Sequence, residues 1–256
     1  MSRRARVCYG AFLVVVVLCA GFAAAALVQS NSQRILASFS TDLAPRSPAQ
    51  RHNILRAASK IDGIVLTPGR EFSFNKTVGL CGVVQGYERA PTIIDGELRP
   101  EWGGGVCQVS STLYNAALLA NLRVTERHAH SRPVSSVPPG RDATTAFGIA
   151  DLRLVNTTDS PITIRAKASQ TRLTISIRGK GDPKVGAELR TEVIRNSVRA
   201  ARPHSSRSFR TLDSSRHGDT VLTYRIVTRE GTETCRELIS KDVYAAPTDS
   251  SARGGR

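Results

Sequence analysis

The segment at residues 103–122, GGGVCQVSSTLYNAALLANL, constrains the fold more than any other part of the chain. Three consecutive glycines let the backbone turn tightly or approach another group, at an entropic cost that ordinary packing does not require. The side chains after them repeat at helical spacing, which predicts a central helix over residues 106–121. One face of that helix carries small residues suited to close packing against a sheet, namely Leu113, Ala116, Ala117 and Ala120. We therefore expect a buried helix that begins at an edge of the core.

The segments around this helix predict a single mixed α+β domain with a mostly antiparallel sheet. A first helix is predicted after Ser47, which can cap it, with Pro48 in its first turn and Gly63 at its end. Residues 63–75, 123–131 and 144–156 are β-like, and Asp95-Gly96 is a hairpin signal. Two later runs alternate apolar residues on one face: Ile162, Ile164, Ala166 and Ala168, then Leu173, Ile175 and Ile177.

Composition along the chain predicts the domain boundaries. Residues 29–46 are polar and irregular, which is typical of a tether, and residues 47–179 form the main domain. Residues 180–212 are predicted to be a basic linker. Residues 213–246 form a small β extension with a hairpin turn at Glu230-Gly231. A unit of that size is too small to be stable alone, so we expect it to pack on the main domain. Residues 247–256 are expected to be a disordered tail.

The N-terminus predicts export. Arginines at positions 3, 4 and 6 precede an uncharged apolar run over residues 7–28, which is long enough to cross a bilayer as a helix. Residues 1–28 are therefore an N-terminal transmembrane anchor, or a signal peptide if they are cleaved. The charge bias places the rest of the chain outside the cytoplasm. We expect a single-pass protein of the cell membrane with an extracytoplasmic domain, secreted if the segment is removed.

Charge and cysteine usage follow from that location. The net charge is +15, and residues 178–210 hold nine Lys or Arg against three Asp or Glu. Outside the cell this indicates anionic wall polymers or lipid headgroups as partners rather than nucleic acid, unless the segment is only a solvated linker. Cys8 and Cys19 lie in the apolar run, which leaves Cys81, Cys107 and Cys235 outside. A disulfide between Cys81 and Cys235 is permitted there, and the sequence leaves it open.

Cys107 is the candidate nucleophile. The unpaired N–H groups and positive dipole end of the helix would lower the pKa of its thiol. His128 and His130 follow after a strand-like run, and Asp142 and Asp151 flank the next strand. Helix with Cys, then strand with His, then strand with Asp is the chain order of transglutaminase-like and papain-type cysteine enzymes. We predict Cys107 as nucleophile, His130 or else His128 as base, and Asp142 or Asp151 as the group that orients the base.

Other interpretations of these residues stay open. Free cysteine is among the most buried residue types, so Cys107 can be a packing residue. Two histidines two residues apart could instead bind a metal with Cys107 as third ligand, but no further ligand lies nearby in the sequence, so we predict neither a metal nor a cofactor.

A set of candidate binding residues surrounds the same segment. Backbone N–H groups at residues 105–108 are predicted to form an oxyanion site. The arginines near the histidines could hold an anionic substrate group such as a peptide carboxylate. The candidate set consists of Gly103, Gly104, Gly105, Gln108, Ser110, Ser111, Tyr114, Arg127, Arg132 and Arg141.

From about Arg51 to Gly179 the chain resembles the VanW family, named for an accessory protein found with glycopeptide-antibiotic resistance. The resemblance runs through RHNILRAASKIDGIVLTPGREFSFN, the Gly86-Tyr87 region, GGGVCQVSSTLYNAALLANL, ERHAHSRPVSSVPPGRDAT and DLRLVNTTDSPITIRA. Residues 218–244 are similar to a G5-type β module. Cys107, His130 and Asp142 fall on the family's motif positions. Cys81 and Cys235 replace residues that are usually not cysteine, which argues against an essential disulfide.

The resemblance implies an exported bacterial surface protein that acts on, or binds, peptidoglycan or its precursor peptides. It implies no established reaction. We expect a Cys-centred acyl-transfer or amide-hydrolysis site, in the manner of a cysteine amidase, peptidase or transpeptidase. The alternative is a non-catalytic cell-wall-binding or assembly module in which Cys107 is structural.

Overall fold

The computed structural model describes residues 33–94, 97–182, 184–194 and 219–244. Its strands are β1 (Arg34–Asp42), β2 (Val65–Leu66), β3 (Glu71–Ser73), β4 (Arg89–Ile94), β5 (Glu97–Trp102), β6 (Arg123–Glu126), β7 (Arg153–Val155), β8 (Ile162–Ala168), β9 (Arg172–Gly179), β10 (Val185–Ile194), β11 (Thr220–Arg229) and β12 (Thr232–Val243). Its helices are α1 (Pro48–Ile61), α2 (Phe74–Val78) and α3 (Val106–Leu119). The α+β class is confirmed.

All strand pairs in the described part of the chain are antiparallel, as expected, but they form four sheets rather than one. The orders are β1-β9-β8-β2, β3-β7-β6, β4-β5 and β10-β11-β12. The strands in the second and third sheets are only three to six residues long. The β4-β5 pairing confirms a hairpin, whose turn at Asp95-Gly96 lies outside the described residues.

The core lies between the first sheet and helix α3. The predicted apolar face of β8 and β9 is confirmed, since Ile162, Ile164, Leu173, Ile175 and Ile177 are fully buried. Helix α3 packs across β1 and β9 and against α1, and nearly every residue from Val106 to Leu118 is buried. The predicted helix over 106–121 therefore exists with a slightly earlier end.

Helix α1 begins where the sequence predicted. The Ser47 hydroxyl accepts from the N–H of Gln50 at 3.2 Å, and the Gln50 side chain accepts from the N–H of Ser47 at 3.0 Å, which is a complete capping box. From inside the helix, the buried Asn53 side chain donates to the carbonyl of Gly104 at 3.0 Å. Helix α1 thus holds the glycine turn that precedes α3.

Two predicted irregular segments are strands. The tether prediction for residues 29–46 is wrong over Arg34–Asp42, because β1 pairs with β9 through most of its length. Its serines resemble a loop in sequence, but Ser40 bonds Thr174 across the pair at 2.8 Å while Phe39 packs on the core. The basic linker prediction for 180–212 is wrong over Val185–Ile194, where β10 pairs with β11. Its alternating charged residues form the solvated face of a strand, and Leu189 packs against the core.

The C-terminal β unit, defined here as β10, β11 and β12 with Tyr244, packs on the main domain as predicted. The β11–β12 turn contains Glu230 and Gly231 at positive φ, which confirms the predicted hairpin. Arg225 of β11 donates to the carbonyl of Leu122 at 2.8 Å. The rest of the basic linker, residues 195–212, lies outside the described residues, as does the predicted tail, 247–256.

The predicted anchor at residues 1–28 also lies outside the described residues. Within the residues that are described, no helix is long and apolar enough to cross a membrane.

Candidate active site

An open cleft of about 730 Å³ lies over the N-terminus of α3. Cys107, His130 and the segment at Thr144–Ala146 all line it. Most of its remaining wall is apolar, formed by Phe74, Val78, Leu80, Trp102, Val134 and Phe147. Among the described residues, Arg46 is the single lysine or arginine that lines it.

The glycine triplet positions Cys107 by close approach of backbones. A Cβ on Gly104 would lie 2.4 Å from the carbonyl oxygen of Ala90, closer than any real contact. Gly103 and Gly105 have φ values of 76° and 99°, which only glycine adopts without strain. The triplet therefore lets the chain turn against β4 and start α3 with Cys107 facing the cleft.

Cys107 has two polar neighbours within the cleft. Its half-buried Sγ lies 3.5 Å from the carbonyl oxygen of Thr145. The His130 side chain lines the same cleft and lies close enough to interact electrostatically with the thiol. Because Nδ1 of His130 is engaged elsewhere, Nε2 is the ring nitrogen available to Cys107.

Asp142 orients that histidine. One carboxylate oxygen, Oδ2, accepts from Nδ1 of His130 at 2.6 Å and from its backbone N–H at 2.7 Å. The Asp142 side chain is 1% exposed and that of His130 12%, so the pair is screened from water. The structure thus brings together three of the five predicted catalytic residues, Cys107, His130 and Asp142, in the order that nucleophilic catalysis needs.

The environment favours a charged pair at this centre. Burial opposes the thiolate, but the hydrogen bond and positive charge of His130 outweigh it, and the pKa of Cys107 falls below its ordinary value. Burial also opposes the imidazolium, but the hydrogen bonds to Asp142 and Cys107 raise the pKa of His130 to about 9. Burial would raise the pKa of Asp142, yet its donors hold it below the ordinary value. These directions favour a Cys107 thiolate beside a His130 imidazolium.

Two of the backbone N–H groups in the predicted oxyanion site are already engaged in hydrogen bonds. The N–H of Val106 already donates to the carbonyl of Gly103 at 3.0 Å, and that of Gln108 to Gly105 at 2.9 Å. The N–H groups of Gly105 and Cys107 are therefore the remaining candidates at the helix start.

Two predicted catalytic residues lie elsewhere. His128 is exposed and bonds Glu126 at 3.0 Å, so the expectation that it faces Cys107 is wrong. The cause is local, since β6 ends at Glu126 and His128 makes only an isolated bridge to Thr144, which breaks the alternation of strand faces. Asp151 is buried, but it accepts from the Ser73 hydroxyl at 2.5 Å and the N–H of Asn75 at 2.8 Å. It caps α2 instead of orienting the base.

The predicted serine contacts and Gln108 support the site from behind. Ser110 and Ser111 are buried and both donate to the carbonyl of Ala143, at 2.7 and 3.4 Å. They fix the residue after Asp142 to helix α3 rather than binding a ligand. Gln108 lines the cleft, but its amide nitrogen donates to Thr41 at 3.0 Å, and its amide oxygen accepts from Nε of Arg46 at 2.7 Å.

The remaining predicted ligand contacts do not line the cleft. Tyr114 is buried beneath Arg127, whose guanidinium bonds Asp142 and Asp242. Arg141 donates to Asn115 at 2.6 Å. Arg132 is half-buried and lies outside the lining set. None of these four residues lines the cleft of Cys107, so a substrate contact there is not shown for them, and their role in binding stays a prediction.

The other cysteines and the metal hypothesis are also decided by position. Cys81 lines the cleft beside Gly103, while Cys235 is exposed on β12, and both are free, so the disulfide left open by the sequence does not form. Among the described residues no three His, Cys, Asp or Glu side chains are grouped as metal ligands, because His128 and His130 point to different partners.

Sequence reasoning missed three contributors to the site. Arg46 and Thr145 stand in segments interpreted as tether and strand, and Tyr244 lies in the extension, where it donates to Asp142 at 2.5 Å. No local pattern marks any of them. In the structure Trp102 and Phe147 border the cleft and are 43% and 57% exposed, as large apolar groups at a binding cleft often are, but this exposure cannot be read from the sequence.

The fold and the site define a class of protein: an α+β domain with a Cys–His–Asp centre at the start of a buried helix. Comparison with known families agrees with the sequence motifs, and the chain belongs to the VanW-like family, whose model, described as VanW like protein, matches residues 49–178. That match includes Cys107, His130 and Asp142. It ends before the C-terminal β unit, whose likeness to a G5-type module stays a prediction.

Two curated relatives are similar to this chain. The uncharacterized protein YoaR of Bacillus subtilis (strain 168) is 45% identical over 141 residues, which are 55% of this chain and 46% of that protein. The vancomycin B-type resistance protein VanW of Enterococcus faecalis (strain ATCC 700802 / V583) is 33% identical over 112 residues, 42% of this chain and 41% of that protein. The chain therefore matches less than half the length of either relative. No solved structure matches it significantly.

Proposed function

We propose that this chain is an extracytoplasmic cell-envelope protein in which Cys107 attacks an amide or acyl carbonyl of a peptidoglycan-type peptide. The single observation that carries the proposal is that Cys107 and His130 line one open cleft while the buried Asp142 bonds the ring of His130. The likeness to a vancomycin B-type resistance protein supports the cell-wall setting. The single-pass membrane location and the contact with anionic wall polymers or lipid headgroups rest on residues 1–28 and the net charge of +15.

The geometry supports a two-step acyl transfer. The Cys107 thiolate adds to the carbonyl carbon, and the developing oxyanion lies near the N–H groups of Cys107 and Gly105. His130, already protonated, gives its proton to the leaving amine as the C–N bond breaks, which leaves a thioester on Cys107. Water or a second amine then attacks the thioester while neutral His130 accepts its proton, and the C–S bond breaks to release the Cys107 thiolate. Water gives hydrolysis, and an amine gives transpeptidation.

The cleft favours a substrate with a mostly apolar acyl chain and a free carboxylate. Its wall is apolar on the side of Phe74, Trp102 and Phe147. Arg46 supplies the positive charge, and burial lowers the pKa of its guanidinium although Asp42 opposes this. A partly desolvated arginine binds a carboxylate with directed hydrogen bonds. Peptides that combine both features fit this cleft.

A second function is favoured by one contact. The carbonyl of Thr145 lies 3.5 Å from Sγ, so a neutral Cys107 thiol also has an acceptor and could be a packing residue. In that case the cleft binds a wall peptide without reacting, and the protein is a cell-wall-binding or assembly module.

The pH dependence of Cys107 alkylation separates the two functions. Peptide mass spectrometry follows the modification of Cys107 by iodoacetamide, and we expect a pH midpoint below the ordinary thiol value of 9.0. His130→Asn should raise the midpoint to the ordinary thiol value or above it, because burial then opposes the thiolate without compensation from His130. His128→Asn is the matched control, because it removes an exposed imidazole that contacts Glu126, and it should leave the midpoint unchanged. An ordinary midpoint in the unmodified protein would contradict the nucleophile and favour the binding module.

A trapping experiment then tests the reaction. The protein is incubated with peptidoglycan fragments, and intact-mass spectrometry looks for a thioester adduct on Cys107. We expect an adduct that hydroxylamine removes and that Cys107→Ser lacks. Binding of the same fragments by Cys107→Ser with no adduct in either protein would support the non-catalytic module.

A further inference from the structure

The C-terminal β unit contacts the carboxylate that orients His130. Oδ1 of Asp142 accepts from the hydroxyl of Tyr244 at 2.5 Å and from the guanidinium of Arg127 at 3.3 Å. Its other oxygen, Oδ2, serves both donors of His130. Tyr244 directly follows β12 and lies outside the family match at residues 49–178. A residue from beyond the family domain is therefore in direct contact with the site.

The orientation of the Tyr244 hydroxyl is fixed. Its oxygen accepts the N–H of Gly140 at 2.6 Å, so its one proton must be directed elsewhere, and Asp142 is the acceptor. The ring is 2% exposed, and the backbone N–H of Tyr244 donates to the carbonyl of Asp219 at 3.1 Å. Both ends of the residue are thus held, one by the unit and one by the site.

Two further contacts tie the unit to the same loop. Asp242 of β12 binds Nη1 of Arg127 at 2.5 Å, while Nε of that arginine donates to the Asp142 carbonyl at 2.6 Å. Thr223 of β11 donates to the carbonyl of Gly140 at 3.1 Å. A Cβ on Gly140 would lie 2.3 Å from the Thr223 hydroxyl, so the loop and β11 are in close contact.

We propose that Tyr244 is a positioning residue for the Cys107 centre and that the C-terminal β unit is a structural part of the site. A carboxylate can rotate about its last bond, and only a donor fixed at Oδ1 keeps Oδ2 facing both N–H groups of His130. Tyr244 is that donor, with Arg127 at its side. The proposal rests on the Cys107 centre described under the proposed function, but it adds a residue and a unit that the family match leaves out.

The test compares three single substitutions in the full chain. Tyr244→Phe removes only the hydroxyl. Tyr224→Phe makes the same change on β11, at a tyrosine that does not line the cleft. Thr223→Val removes a different hydrogen bond between the unit and the loop, which controls for loosened docking.

Two quantities are measured on each protein at a temperature well below its melting temperature, after circular dichroism has verified the fold. They are the pH midpoint of Cys107 alkylation and the titration of the His130 ring by NMR. Tyr244→Phe should slow Cys107 alkylation about tenfold at pH values below the midpoint, which corresponds to a rise of about one unit in the midpoint. The pKa of His130 should fall in the same protein. The two controls should keep both unmodified values, whatever they lose in melting temperature.

Unmodified values of both quantities in Tyr244→Phe, with a melting temperature lowered as in Thr223→Val, would overturn the proposal and leave Tyr244 as a packing residue. If Cys107 of the unmodified protein reacts as an ordinary thiol, the proposed function fails, and the His130 titration alone decides. A fall in the His130 pKa with Tyr244→Phe then still supports the positioning role, and an unchanged pKa overturns it.

Discussion

Replacing Asp142 by asparagine perturbs the electrostatics of the site with little change of shape. The pKa of His130 is raised from 6.5 to about 9 despite burial, with the hydrogen bond to Asp142 as the largest favourable cause. Asparagine keeps the side-chain outline but not the charge, so it removes the share of that rise which Asp142 provides. Cys107 and His130 share one proton and titrate as a pair, and the comparison is therefore made in a Cys107→Ser background.

The magnitude follows from that pKa. A rise from 6.5 to about 9 is worth about 3 kcal/mol, at about 1.4 kcal/mol per unit, and Cys107 provides part of it. We expect about 2 kcal/mol to come from Asp142. Because the pKa of His130 is raised on folding, this stabilisation is complete below pH 6.5 and is lost as the pH rises through the folded-state pKa. The lost hydrogen bonds to Tyr244 and Arg127 add about 1–3 kcal/mol that does not depend on pH.

The assay is urea unfolding followed by circular dichroism and by the fluorescence of Trp102, the single tryptophan. The difference in unfolding free energy between Cys107→Ser and Cys107→Ser/Asp142→Asn should shrink by about 2 kcal/mol between about pH 6 and about pH 9. Asp151→Asn in the same background is the matched control, because it neutralises a buried carboxylate that caps α2, and its difference should stay constant. A constant or widening difference for Asp142→Asn would refute the reasoning.

Two further predictions concern the turn and the cleft. Gly104→Ala places a Cβ 2.4 Å from the Ala90 carbonyl, so it should lower the unfolding free energy by at least about 2 kcal/mol and slow Cys107 alkylation. Gly148→Ala is the control: its Cβ meets nothing within 4 Å, so it should lower the unfolding free energy by about 1 kcal/mol and leave the alkylation rate unchanged. Arg46→Gln should weaken the binding of a carboxylate-bearing wall peptide about tenfold, measured by calorimetry, and should leave the pH midpoint of Cys107 alkylation unchanged. If the unmodified protein binds the amidated form of the peptide equally well, a carboxylate contact is contradicted.

The parts of the fold that were predicted correctly are those with local signals. Ser47 and Pro48 predicted the start of α1, and the alternation of Ile162 and Ile164 predicted the buried face of β8. Strands β1 and β10 were missed because their small, polar and charged residues acquire a buried face only after pairing with β9 and β11. Such pairings join residues far apart in the chain, and no local pattern records them.

The candidate site divides in the same way. The family motif already favoured His130 and Asp142. The structure adds that His128 does not line the cleft, since the alternation that placed it beside His130 ends with β6 at Glu126. Asp151 is a residue type that can act as a catalytic acid, but its carboxylate accepts from a backbone N–H in the first turn of α2. The arginines expected to bind a ligand do not line the cleft. Arg46 does line it, and it lies in a segment that carries no recognisable motif.

By itself the sequence determined the family, the buried helix and the cysteine at its start, because each depends on residue types within a short stretch. The glycine triplet could be recognised as a place of close approach without knowing what approached it. Only the tertiary structure decided that the approaching group is β4, that His130 rather than His128 meets Cys107, and that Tyr244 holds Asp142 from the far end of the chain. These contacts depend on side-chain directions and on pairings between distant segments, and both are fixed only when the core packs.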